Sequence, residues 1–145
     1  STRKESSAAS DVYKRQCLCG AISLTLRIAN PSVSACHCST CRKWGGGPLL
    51  VAEGQLTQLS GEQQVRIHDS SDWAERGFCG QCGSHLFYRL KSNGHHAVPV
   101  GLLDGYDDWQ FDSQIFIESR PAYYCFANQT RELTGEQVFA EFEQG

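Results

Sequence analysis

No stretch of this 145-residue chain approaches 18 consecutive apolar residues, so the sequence predicts no helix long enough to cross a bilayer. The first residues hold no apolar run ahead of a small-residue cleavage site. A secretory signal pattern is therefore missing, and a cytoplasmic location is expected. A concentrated basic surface is missing too. The formal net charge is -3, which argues against nucleic acid or an anionic membrane as a partner, because both reward clustered cations. There is no internal repeat, no inter-domain linker and no alternating strand-and-helix rhythm, so a parallel α/β sheet is not expected.

Cysteine, by contrast, is abundant, with eight residues. Seven fall into tight groups: Cys17 with Cys19, Cys36 with Cys38 and Cys41, and Cys79 with Cys82. Four disulfides would suit a secreted chain. Neighbours one or two residues apart rarely bridge each other, however, and they readily chelate one ion. The pattern reads as metal binding.

Residues 1–16, STRKESSAASDVYKRQ, are polar, rich in Ser and Ala, and without periodicity. They read as a disordered tail. They also resemble translated adapter sequence, so a non-native origin is expected. Residues 17–145 are expected to form a single zinc-binding domain, a length that suits one apolar core.

Within that region AISLTLRI alternates, with Ile22, Leu24, Leu26 and Ile28 on one face and Ser23, Thr25 and Arg27 on the other. This predicts a half-buried strand. GPLLVAEG predicts a short buried strand between glycines, and QQVRIHD, SHLFYRL, HAVPVGLL and SQIFIES are further strands. Helix signals are few. One turn is predicted through Ser39–Trp44, and another helix from Thr134, where Thr134 and Gln137 hold the two positions of a capping box. Short strands throughout predict an all-β fold of small antiparallel sheets with one or two short helices.

The cysteines divide into two sets. Cys17 and Cys19 open the first strand, where a flat backbone would hold residues i and i+2 roughly 6 to 7 Å apart. Two sulfurs on one zinc lie under about 4 Å from each other. The chain must therefore curl at Leu18, and Gly20 permits the turn. Cys79 and Cys82, each followed by glycine, read as a zinc knuckle. Neither pair completes a site alone; together they make a structural zinc site of four thiolates. Cys36, Cys38 and Cys41 then stand as a set of three, the form of a catalytic zinc with an open position. Two residues compete to close it. His37 lies between two ligands, with its side chain expected to point away. Cys125, in YYCFANQ, reads more simply as a small buried hydrophobe. An open fourth position is the expectation.

At this point the motifs CLCGAI, CHCSTCRKWGGGP, ERGFCGQCGSHLFYR and IFIESRPAYY resemble the glutathione-dependent formaldehyde-activating enzyme family, over about residues 17–143. That family usually has small residues before the first cysteine, where KRQ stands here. The resemblance implies a β-tent fold. It implies a structural zinc at Cys17, Cys19, Cys79 and Cys82 and a catalytic zinc at Cys36, Cys38 and Cys41, hence two zinc ions per chain. It further implies carbon–sulfur lyase activity, adding a thiol such as glutathione to formaldehyde or a related aldehyde.

Three thiolates make zinc a poor Lewis acid but suit it to holding a substrate thiol. Arg42 and Lys43 offset thiolate charge, meet substrate carboxylates or are simply solvated. Trp44 reads as a core anchor. His85 reads as an ordinary partly buried histidine or a hydrogen-bond donor to a cysteine sulfur, and His95 and His96 as an idle loop feature. Glu75 and Arg76 are expected to form a structural ion pair. The alternative function is a non-catalytic zinc-binding interaction module on the same scaffold.

Overall fold

The alternation of residues 22–28 becomes strand β2 (Ser23–Ile28), with Leu24, Leu26 and Ile28 buried and Arg27 exposed. The computed structural model describes residues 11–28, 30–103 and 109–144. Its chain groups into two compact units, Ser1–Pro31 with Ala52–Asp107, and Ser32–Val51 with Asp108–Gly145. The sequence reading had one domain over residues 17–145.

In the first unit, β2 pairs antiparallel with β1 (Asp11–Gln16). The expected disordered tail thus meets a correction for residues 11–16. Tyr13 pairs with Leu26 and is buried, while Val12 faces solvent. A short polar segment gains its order from the β2 ladder and one buried aromatic ring, neither of which its composition reveals. The part of that expectation covering residues 1–10 lies outside the described residues.

Strand β4 (Leu49–Ser60) is longer than expected, running on through Gly54. A Cβ at Gly54 would lie 2.4 Å from Ile28 Cδ1, so this glycine permits a close approach rather than ending the strand. Strands β5 (Val65–His68), β6 (Ala74–Cys79), β7 (His85–Leu90) and β8 (His96–Pro99) form an antiparallel meander in the same unit. Its core includes Leu86, Phe87 and Val98, each almost fully buried.

In the second unit, β3 (Ser32–Cys36) pairs antiparallel with the start of β4 and parallel with β9 (Gln110–Ile115). β10 (Arg131–Leu133) also runs parallel to β9. These parallel ladders depart from the all-antiparallel expectation. Strands distant in sequence are free of the hairpin connection that forces neighbours to run opposite ways.

Helix α1 (Ser39–Gly45) ends at Gly46, whose φ of 86° lets its amide bond the Arg42 carbonyl. Helix α2 (Gly135–Gln144) has the expected capping box: Gln137 N–H donates to Thr134 Oγ1 at 3.1 Å, and Thr134 N–H donates to Gln137 Oε1 at 2.8 Å. Among the described residues, ten strands and two short α-helices give the mainly-β class expected from sequence. Among the described residues no helix is long and apolar enough to cross a membrane.

Candidate metal centres

The turn that Cys17 and Cys19 require is present. Gly20, at φ 82°, donates its amide to the Cys17 carbonyl at 3.1 Å. The Cys17 and Cys19 sulfurs come to 3.7 Å of each other, Cys17 is buried, and Leu18 between them is left 87% exposed. The knuckle follows β6, where the amides of Gln81 and Cys82 donate to Cys79 Sγ at 3.3 and 3.4 Å. The sulfurs of Cys17, Cys19, Cys79 and Cys82 all lie within 4.8 Å of one another. Cys17 to Cys19 is 3.7 Å and Cys19 to Cys79 is 3.9 Å. Four thiolates at zinc distance define a tetrahedron with edges of about 3.8 Å. The donor set fits that ion.

Charge makes the same point. Ser84 Oγ lies 3.2 Å from Cys82 Sγ, and its hydroxyl, then its amide, hold the Cys82 thiol down to about 5. The Ala21 amide favours a Cys19 thiolate, but burial and the neighbouring sulfurs outweigh it and push Cys19 up to about 11. Without a cation, each thiolate opposes ionisation of the next; a divalent ion removes that conflict. Ser84 also accepts the Leu18 amide at 3.0 Å, joining the first turn to the knuckle. Sequence reading passed over Ser84, although its place two residues after Cys82 was the available signal.

The second cluster is local. Cys36 ends β3, held in register between Leu49 of β4 and Ile115 of β9. Cys38 is the N-cap of α1, and its sulfur accepts the Cys41 amide at 3.4 Å. The three sulfurs lie within 4.8 Å of one another. The sulfurs of Cys38 and Cys41, with burial, push the Cys36 thiol far above the usual range. This set too is chemically fitted to a soft divalent cation.

Neither competitor for the fourth position joins it. His37 is fully buried and turned away, with Nδ1 2.8 Å from Tyr124 Oη and Nε2 2.8 Å from Gln114 Oε1. Burial holds its imidazole below the ordinary histidine value. Cys125 is exposed rather than buried, a correction to the sequence reading, and belongs to neither cluster among the described residues. It lines a cavity of about 620 Å³ with Arg42 and Lys43 of α1 and Tyr123, Tyr124 and Phe126. Tyr124 and Gln114 were not singled out from sequence. The RPAYY motif was noticed, but nothing in it discloses a histidine partner.

Other expectations shift in detail. Glu75 pairs with Arg89 at 3.0 Å, whereas the Arg76 guanidinium lies over the Tyr88 ring at 5.0 Å. His95 is no idle residue, since its Nε2 lies 3.3 Å from Glu53 Oε1. His96 sits in β8, buried edge-on against Phe87.

A mainly-β chain with two sulfur clusters of metal-ligating geometry defines a recognisable class. The description of glutathione-dependent formaldehyde-activating enzymes matches residues 12–119, a span that begins within β1. A Schizosaccharomyces pombe protein described as an uncharacterized lyase is 36% identical over 129 residues, covering 87% of this chain and 93% of that protein. A crystal structure of a Rhodobacter sphaeroides protein is similar at a TM-score of 0.55 and 25% identity, covering 68% of this chain and 100% of that one. The chain belongs to the glutathione-dependent formaldehyde-activating enzyme family.

Proposed function

We propose that this protein is a zinc-dependent carbon–sulfur lyase that adds a thiol such as glutathione to formaldehyde, giving S-hydroxymethylglutathione. Family membership and the lyase description of the yeast relative support the reaction class. The observation that carries the reading is the three-sulfur cluster itself: His37 is bonded to Tyr124 and Gln114, and the Cys125 sulfur is not gathered with the three. Zinc held by Cys36, Cys38 and Cys41 would supply a cation that favours the ionised form of a substrate thiol. A second zinc, on Cys17, Cys19, Cys79 and Cys82, serves the fold.

In the addition, the thiol sulfur forms a bond to the aldehyde carbon. The carbonyl π pair moves to oxygen, which takes up the proton the thiol gives off. Arg42 and Lys43 place two cations on the cavity wall, suited to the carboxylates of a peptide thiol. The test is formation of S-hydroxymethylglutathione measured by NMR exchange against the spontaneous rate. The wild type should exceed that rate and Cys38→Ser should fall back to it. A wild-type rate equal to the spontaneous one overturns the reading and leaves a zinc-binding interaction module.

A further inference from the structure

His37 stands between two cysteines of the reactive cluster, yet its ring is spent on partners from two other segments. Gln114 of β9 donates its Nε2 amide to Thr130 Oγ1 at 2.9 Å, leaving Oε1 as an acceptor. The His37 Nε2 facing that oxygen at 2.8 Å must carry the ring proton. Nδ1 is then a lone pair, and the Tyr124 hydroxyl 2.8 Å away donates to it. A single tautomer satisfies the whole chain Thr130–Gln114–His37–Tyr124.

Tyr124 is held at three other points. Its ring stacks on His37 with centroids 5.5 Å apart and an interplanar angle of 27°. Phe126 packs on both rings, and Arg120 Nη1 donates to the Tyr124 carbonyl at 3.3 Å. On the cluster side, Arg42 Nε donates to the His37 carbonyl at 2.9 Å. Residues 123–126 thus form one wall of the 620 Å³ cavity whose other wall is α1, and His37 is the link from that wall to the cysteine loop.

We propose that His37 is a positioning residue: through the Tyr124 hydroxyl it fixes the aromatic wall of the cavity against the cysteine loop and so sets how tightly a thiol substrate is held. The identity of the ligand as a thiol rests on the proposed function; the linkage does not. A merely space-filling histidine would need no hydroxyl opposite it.

Tyr124→Phe keeps the ring and removes only the Oη–Nδ1 bond. In the full-length chain loaded with cobalt, glutathione should perturb the metal spectrum, and the midpoint of that titration should rise about tenfold in the variant, the order expected for one lost buried hydrogen bond. In the zinc protein the same variant should raise KM for glutathione by a similar factor with a smaller change in kcat. Long-range ¹⁵N NMR should find the His37 proton on Nε2. Equal cobalt midpoints, no glutathione response in either protein, or a proton on Nδ1 overturns the proposal. A wild type that catalyses nothing, with the cobalt midpoint still shifted in Tyr124→Phe, would sink the lyase reading and leave the linkage standing.

Discussion

In both clusters the first sulfur of a pair spaced by two residues accepts the amide of the second cysteine, Cys82 on Cys79 and Cys41 on Cys38, each at 3.4 Å. Beyond that shared device the clusters diverge. The four-sulfur set gathers its ligands from segments 60 residues apart, and Ser84 bonds both segments. The three-sulfur set lies within a single strand-to-helix turn, and His37, between two of its cysteines, bonds Tyr124 and Gln114. The proposed division of labour follows this contrast: the cluster that ties distant chain together is the one expected to contribute to the fold, and the one contained in a turn is expected to contribute little to it.

The largest test of that contrast is Cys79→Ser. Losing a shared ligand of the long-range cluster should cost much of a binding energy on the order of 10 kcal/mol, comparable with the stability of a domain. Circular dichroism should show a largely unfolded protein, and metal analysis the loss of at least one zinc. A folded variant with one zinc would reverse the roles of the two clusters.

Next is Tyr13→Ala, which removes the buried ring of the strand leading into Cys17 and should cost about 4 kcal/mol in chemical denaturation. Zinc content at low temperature should remain two, separating core packing from metal binding. An unchanged unfolding midpoint would show that β1 contributes nothing to the unit holding the four-sulfur cluster.

Somewhat smaller is the acid response of the same unit. Burial, with Arg89 and His95 nearby, holds the His96 imidazole down to about 4 from 6.5. A histidine with a lowered folded value is favoured neutral in the fold. Its contribution is full above pH 6.5 and is lost as pH falls towards about 4. The loss is on the order of 3 kcal/mol. Melting midpoints measured across that window should fall more steeply for the wild type than for His96→Leu; parallel curves would remove His96 as a cause.

Cys38→Ser should remove one zinc and leave the fold within about 1 kcal/mol of the wild type, because serine is itself a good N-cap and can accept the Cys41 amide. If it unfolds as Cys79→Ser does, the division of labour fails. The smallest effect belongs to Cys125→Ala: two zinc ions retained and an unchanged melting midpoint, read by elemental analysis and calorimetry.

The cysteine sets were legible because a metal confines its ligands to a few ångströms, and short spacings record that constraint directly in the chain. The strand through Leu24 and Leu26 was legible for a similar reason, since the strand period of two is written in adjacent residues. What escaped depended on partners elsewhere. β1 owes its order to β2, and Glu75 found Arg89 on the neighbouring strand rather than Arg76 beside it. The His37–Tyr124 bond joins residues 87 apart in sequence. The two parallel ladders, too, follow from where the chain returns and not from any residue within them.

The 60-residue span between Cys19 and Cys79 also bears on the order of assembly. Bringing the ends of such a loop together costs about 2 kcal/mol more in chain entropy than closing the short stretch from Cys36 to Cys41. Synthesis reinforces the difference, because a chain made from its N-terminus has all three cysteines of the short stretch before Cys79 exists. The three-sulfur cluster is therefore the first able to capture metal, and the four-sulfur cluster is the last. Under metal scarcity during synthesis, the three-sulfur cluster would be the first to fill.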